Sequence, residues 1–217
     1  MKTLFSVLAV GLALTFCVAA QVTAEAAKSI QLPAPQMTGG KPLMEALKAR
    51  STQREFSTEA LPPQELSNLL WAACGINRPD KGLRTAPTAM NKQEIDVYVA
   101  LAGGLYLYDA KANALNLVLA QDLREATGKQ PFLKDAPVDL VYVADYAKMG
   151  TGSKEQKDFY SATDTGYISE NVYLYCASAG LSTVVRGMVD RDALAKAMNL
   201  RADQKIILAQ TVGYPKK

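Results

Sequence analysis

IDVYVALAGGLYLYDAKANALNLVLA, residues 95–120, alternates apolar and polar side chains on either side of the paired glycines Gly103 and Gly104. A period of two presents one face of a strand to a core, and a glycine pair between two such runs is a turn. The segment therefore reads as a β-hairpin followed by a third strand. Upstream the period changes to that of a helix. Leu43, Met44 and Leu47 form one apolar stripe, and Leu66, Leu69, Leu70 and Ala73 form another on a helix from Pro63 to Cys74, with Pro62-Pro63 at its start and Gly75 at its end. Downstream, a polar helix is expected from about Asp122 to Gly128, and VDLVYVAD (138–145) reads as a buried strand. The stretch SATDTGYISENVYLYCASAGL (161–181) carries Ile168, Val172, Leu174, Tyr175 and Ala179 on a broadly apolar helix that stops at Gly180. A short strand at Thr183–Val185, a helix from Arg191 to Met198 and a strand KIILAQTVG (205–213) close the chain. Helices and strands alternate without a βαβ repeat, so the class is α+β.

At 217 residues, with 49% hydrophobic and 21% charged side chains, the chain has the composition of a globular fold with its own core. A net charge of +3 without a long basic run gives no nucleic-acid surface. The absence of histidine removes the Ser-His-Asp, Cys-His and His-ligated metal chemistries together. Lys2, the apolar run Leu4–Ala20 and the small residues that follow have the pattern of a secretory signal peptide within residues 1–26, with cleavage after Ala20, Ala24 or Ala26. The mature protein is then periplasmic or secreted. Residues 27–40 lack periodicity and read as an extended arm, with the folded domain beginning near Lys41. Of the three cysteines, Cys74 and Cys176 lie in apolar helical contexts and are expected as buried free thiols.

Two polar constellations remain. ARSTQREF places Arg50, Ser51, Thr52 and Arg54 directly behind a helix. A phosphate monoester carries close to two negative charges on acceptor oxygens, and arginine forks with hydroxyl or N–H donors match it. In APTAMNKQ, Pro87 and Thr88 make a turn, and the Asn91 and Gln93 amides can pair with a heterocycle edge that both donates and accepts.

In this order and spacing, ARSTQREF, APTAMNKQ, SENVYLYCASAGLSTVV and VGYP resemble the FMN-dependent nitroreductase family, and LLWAACGINRP with GLYLYDAKANAL looks most like its branch related to SagB-type dehydrogenases. The resemblance runs from about Lys41 to Pro215. It implies a central, mostly antiparallel sheet flanked by helices, an intertwined homodimer, and FMN as cofactor. Carried over by position, it puts Arg50, Ser51, Thr52, Arg54 and Lys216 at the flavin phosphate and ribityl chain, and Pro87, Thr88, Asn91 and Gln93 at the ring edge. Val185, Arg186 and Gly187 would lie along the ring, with the Gly187 N–H as donor to N5 and with Arg186 altering the charge beside it. The implied activity is two-electron transfer to a small organic acceptor, with no catalytic side chain and no metal, since the flavin does the redox work. A protein that binds flavin for storage or sensing is the alternative. The electron donor is NAD(P)H if the protein is cytosolic, and a quinol or redox protein if it is exported.

Overall fold

Val138–Asp145 is buried along its whole length, Asp139 and Asp145 included, and lies in the interior of a sheet between two neighbouring strands. The computed structural model describes residues 29–217, so the signal peptide expected in residues 1–26 lies outside the described residues. In chain order the elements are β1 (Ser29–Gln31), α1 (Leu43–Ala49), α2 (Pro63–Cys74), β2 (Ile76–Arg78), β3 (Leu83–Arg84), β4 (Ile95–Leu101), β5 (Gly104–Asp109), β6 (Ala114–Leu119), β7 (Val138–Asp145), α3 (Lys154–Ala179), β8 (Ser182–Arg186), α4 (Arg191–Ala197) and β9 (Gln204–Gly213). Seven strands form one antiparallel sheet in the order β1-β6-β5-β4-β7-β9-β8, and β2 pairs with β3 in a separate ribbon.

The hairpin of residues 95–120 forms as read. Leu101 pairs with Gly104 across the turn. Gly104 has φ +145°, and a Cβ there would meet the Leu119 carbonyl oxygen at 2.5 Å, so only glycine fits. At the next turn Asp109 Oδ1 accepts from the N–H groups of Lys111 and Ala112, the Asx geometry that makes aspartate a turn residue.

The pleat sorts the core into two layers. Val97, Val99, Leu140 and Tyr142 face α2 and α3, where Leu69, Leu70, Ile168 and Val172 meet them. Tyr98, Ala100, Val141 and Val143 face Leu194 and Met198 of the α4 end on the other side. The long helix α3 begins with a reciprocal capping box between Ser153 and Gln156 and ends at Gly180, whose φ of 75° is the left-handed cap. Cys74 and Cys176 are both buried and free. Burial pushes both thiols up, Cys74 to about 11, which keeps them protonated and inert.

Three elements differ from the reading of the sequence. The polar segment after β6 is a short 3-10 turn, Arg124–Thr127, because four residues between two loops leave no length for an α-helix. Residues 29–31 join the sheet as β1, pairing with β6, so ordered structure starts ahead of Lys41. The stripe of α1 points outward: Leu43 and Met44 are 63% and 74% exposed, while Ala46 is the buried residue.

Candidate functional site

The segment after α1 is extended and lies along β8, the edge strand of the sheet. Gln53 N–H donates to the Thr183 carbonyl at 3.0 Å, and Ser182 Oγ donates to Gln53 Oε1 at 2.6 Å. Farther on, Phe56 bridges to Pro215, and Ser57 N–H donates to the Tyr214 carbonyl at 2.9 Å. This second tie brings the end of the chain to the loop, so Arg54 and Lys216 line one depression together with Gln53, Glu55 and Ser182. Beside it, Ser51, Gln53, Tyr173 and Lys41 line a cavity of about 170 Å³. Arg50, Ser51, Thr52, Arg54 and Lys216 are all exposed, and among the described residues no carboxylate pairs with Arg50, Arg54 or Lys216. A group of cations with hydroxyl donors and no acid partner is suited to an anion.

Tyr173 of α3 joins this loop to β8. Its hydroxyl lies 3.0 Å from Thr52 Oγ1 and accepts from the Val185 N–H at 3.0 Å, while the Arg50 guanidinium stands 5.4 Å from its ring centroid. Val185 is half-buried. Gly187, one residue past the end of β8, is exposed beside it.

Arg186 faces the other side of the sheet. Its guanidinium donates to Asp139 Oδ1 at 2.7 Å, to the Thr127 carbonyl at 2.7 Å, to Thr127 Oγ1 at 3.0 Å and to Thr211 Oγ1 at 3.0 Å, all in the interior. The expectation that this side chain sets the charge beside the ring is corrected accordingly, because alternation along β8 turns position 186 away from the face that carries Val185.

The second constellation is a strained turn. Met90, Asn91 and Gln93 have φ of 51°, 52° and 48°, a left-handed backbone in which non-glycine residues are uncommon. Gln93 holds it: its N–H donates to Thr88 Oγ1 at 3.0 Å, its Nε2 to Asn91 Oδ1 and the Gly82 carbonyl, each at 2.9 Å, and its Oε1 accepts from Arg84 Nε at 2.8 Å. Every function of the Gln93 amide is therefore engaged, tying the turn to Gly82 and Arg84 at the β2–β3 ribbon, and its part is to position Asn91, whose exposed Nδ2 is left to donate outward. Pro87 is exposed and Thr88 half-buried beside it. Behind the turn, Asp164 Oδ2 accepts from the Ala89 N–H at 2.9 Å. Glu94 is buried with neither carboxylate oxygen hydrogen-bonded. Desolvation, and next to it the Asp164 carboxylate, push Glu94 up to about 7.

The two constellations touch α3 at Tyr173 and Asp164, nine residues apart. At 1.5 Å and 100° per residue that is about 13 Å along the helix and about half a turn around it. Within one chain the loop and the turn therefore sit on opposite faces of α3. The sequence reading passed over Tyr173, Gln53 and Asp164, which look like an apolar helix position, a spacer and a surface acid. No signal in the sequence marks them, since their partners are 12 to 130 residues away.

Comparison with known proteins agrees with this fold. The family model described as "Nitroreductase family" matches residues 47–214. A nitroreductase-like protein of Methanocaldococcus jannaschii is 29% identical over 155 residues, 67% of this chain and 78% of that protein. A nitroreductase-like crystal structure from Ralstonia eutropha superposes with a TM-score of 0.84 at 47% identity, covering 88% of this chain and 90% of that one. A structure from Desulfovibrio desulfuricans in complex with FMN shares the fold at a TM-score of 0.59 and 20% identity, over 82% and 89% of the two chains. With the matched model spanning both the arginine loop and the strained turn, the chain belongs to the nitroreductase family of oxidoreductases.

Proposed function

We propose that this protein is an FMN-dependent oxidoreductase that passes two electrons to a small organic acceptor, with the flavin held between two copies of the chain. The observation that carries the reading is the cluster of Arg50, Thr52, Arg54 and Lys216 beside the open edge of β8, whose cations form no ion pair among the described residues although Glu55 lines the same depression. Its donors fit a phosphate, and the exposed Gly187 just past the end of that strand is our candidate N–H donor to an acceptor nitrogen of a flat ring. When bound, FMN supplies the hydride chemistry. The chain's own residues bind and orient: arginines and hydroxyls hold the phosphate, the Gly187 N–H meets N5, and the turn donates through Asn91. The D. desulfuricans relative has FMN in its structure, and a Vibrio harveyi relative of the same fold is an NADPH:FMN oxidoreductase.

A homodimer follows from the half-turn between the two constellations, because a second copy can bring its Asn91 turn to the first copy's arginine loop. The exposed stripe of α1 is an apolar face for that contact. The apolar N-terminal run supports export, and with export a quinol or redox protein is the donor in place of NAD(P)H. The deciding experiment is reconstitution of the full chain with FMN and with riboflavin, followed by anaerobic reduction with NADPH and with a quinol. Stoichiometric uptake of FMN, discrimination against riboflavin and reoxidation by a nitroaromatic or quinone support the reading. A colourless protein that takes up neither flavin overturns it.

A further inference from the structure

Tyr173 stands where the arginine loop and the flavin-facing strand meet, and its hydrogen bonds have a direction. The Val185 N–H can only donate, so the Tyr173 oxygen accepts there at 3.0 Å. Tyr173 is buried, and the acceptor within reach of its own proton is Thr52 Oγ1, also at 3.0 Å. Once the Thr52 oxygen accepts from the tyrosine, its proton is free to turn outward, into the exposed cluster of Arg50 and Arg54. A phosphate oxygen accepts only, so a threonine facing it must donate. The tyrosine ring also seats the Arg50 guanidinium, 5.4 Å from its centroid, in cation–π range.

We propose that Tyr173 is the positioning residue for cofactor recognition, a relay running Val185 N–H to Tyr173 hydroxyl to Thr52 hydroxyl to phosphate that ties the phosphate loop to the strand along the ring. This rests on the FMN reading. Because the chain ends on the phosphate, Tyr173 discriminates between FMN and riboflavin although it touches neither.

The test is titration of the full-length protein with FMN and with riboflavin, for wild type, Tyr173→Phe, Thr52→Val and the double variant. Phenylalanine keeps a ring under Arg50 and removes only the hydroxyl. The expected result is FMN affinity lowered about tenfold by Tyr173→Phe with riboflavin affinity changed less than about threefold, because the Thr52 hydroxyl then loses the partner that orients its hydrogen bond to the phosphate. The double variant should bind FMN no more weakly than Thr52→Val alone, since both substitutions break one relay. Thr52 is exposed, so Thr52→Val reads the outer link even where the tyrosine variant folds poorly, and an FMN-to-riboflavin ratio untouched by it overturns the relay. Equal weakening of both flavins by Tyr173→Phe, or additive losses in the double variant, assign the tyrosine a merely structural role and overturn the proposal. A wild type that discriminates while Tyr173→Phe discriminates equally well removes this inference alone. Wild type binding both flavins equally removes the FMN reading and this inference with it.

Discussion

Single side chains here act through what they leave unpaired. Arg50 has a ring beneath it and, among the described residues, no ion-paired acid, so its charge is available to a ligand. Arg50→Ala should weaken FMN about tenfold or more, the equivalent of roughly 1.5–3 kcal/mol for a charged hydrogen bond, and leave riboflavin nearly unaffected. Fluorescence titration measures both, and equal losses would contradict the phosphate assignment. Glu94 is the opposite case, a carboxyl whose burial favours the proton. Its value in the fold is about 7 against an ordinary 4.5, with Asp164 reinforcing the rise and Lys148 opposing it. The folded state thus holds more protons than the unfolded state between those values, and stability falls as pH climbs through that window. A rise of this size corresponds to about 3 kcal/mol. Glu94→Gln has no proton to lose, so its thermal midpoint should decline less than wild type between pH 5 and 8. Parallel declines would show that Glu94 is not the group responsible. Asp139, pushed up to about 6 by burial despite Arg186, adds a decline in the same direction in both proteins.

At the scale of elements, α1 breaks the usual rule that the apolar stripe of a helix faces its own core. Leu43 and Met44 lie in solvent at 63% and 74% exposure while only Ala46 is buried. The helix still forms, because its partner α3 is contacted through the small residue. On a seven-residue helix, this exposed stripe is the face that the proposed dimer contact would cover. Met44→Glu should leave the isolated fold within about 0.5 kcal/mol of wild type, as exposed substitutions do. It should also shift light scattering from dimer to monomer and lower FMN occupancy in step. A variant that stays dimeric and fully loaded would place the contact elsewhere. The helix α3 was read as apolar nearly all round. The structure is more graded: Ile168, Val172 and Tyr173 are buried within the chain, Leu174 and Tyr175 are half-buried, and Tyr167 is exposed. Ser161, Asp164, Thr165 and Ser169 are buried polar residues on the same helix.

For the whole molecule, our proposal of one flavin site across two chains rests on the half-turn between the arginine loop and the Asn91 turn, and our proposal of export rests on the apolar run Leu4–Ala20. Residues 1–26 fused to a reporter should export it and yield a shortened N-terminus, detectable by mass. A full-length reporter kept in the cytosol would restore NAD(P)H as the donor.

The sequence by itself determined whatever depends on neighbours along the chain. The hairpin at Gly103-Gly104, the ends of α2 and α3 at Gly75 and Gly180, and the burial of VDLVYVAD follow from local conformational preference and periodicity, which short stretches carry in full. The same holds for the residue types of both constellations. Tertiary structure alone decided which of those residues face outward. Arg186 turns inward to Asp139, 47 residues away, Gln93 closes on its own turn, and Tyr173 is bonded to Thr52 across 121 residues. Such contacts are set by strand register and by how far the helix turns between its partners, and no local pattern of side chains records either.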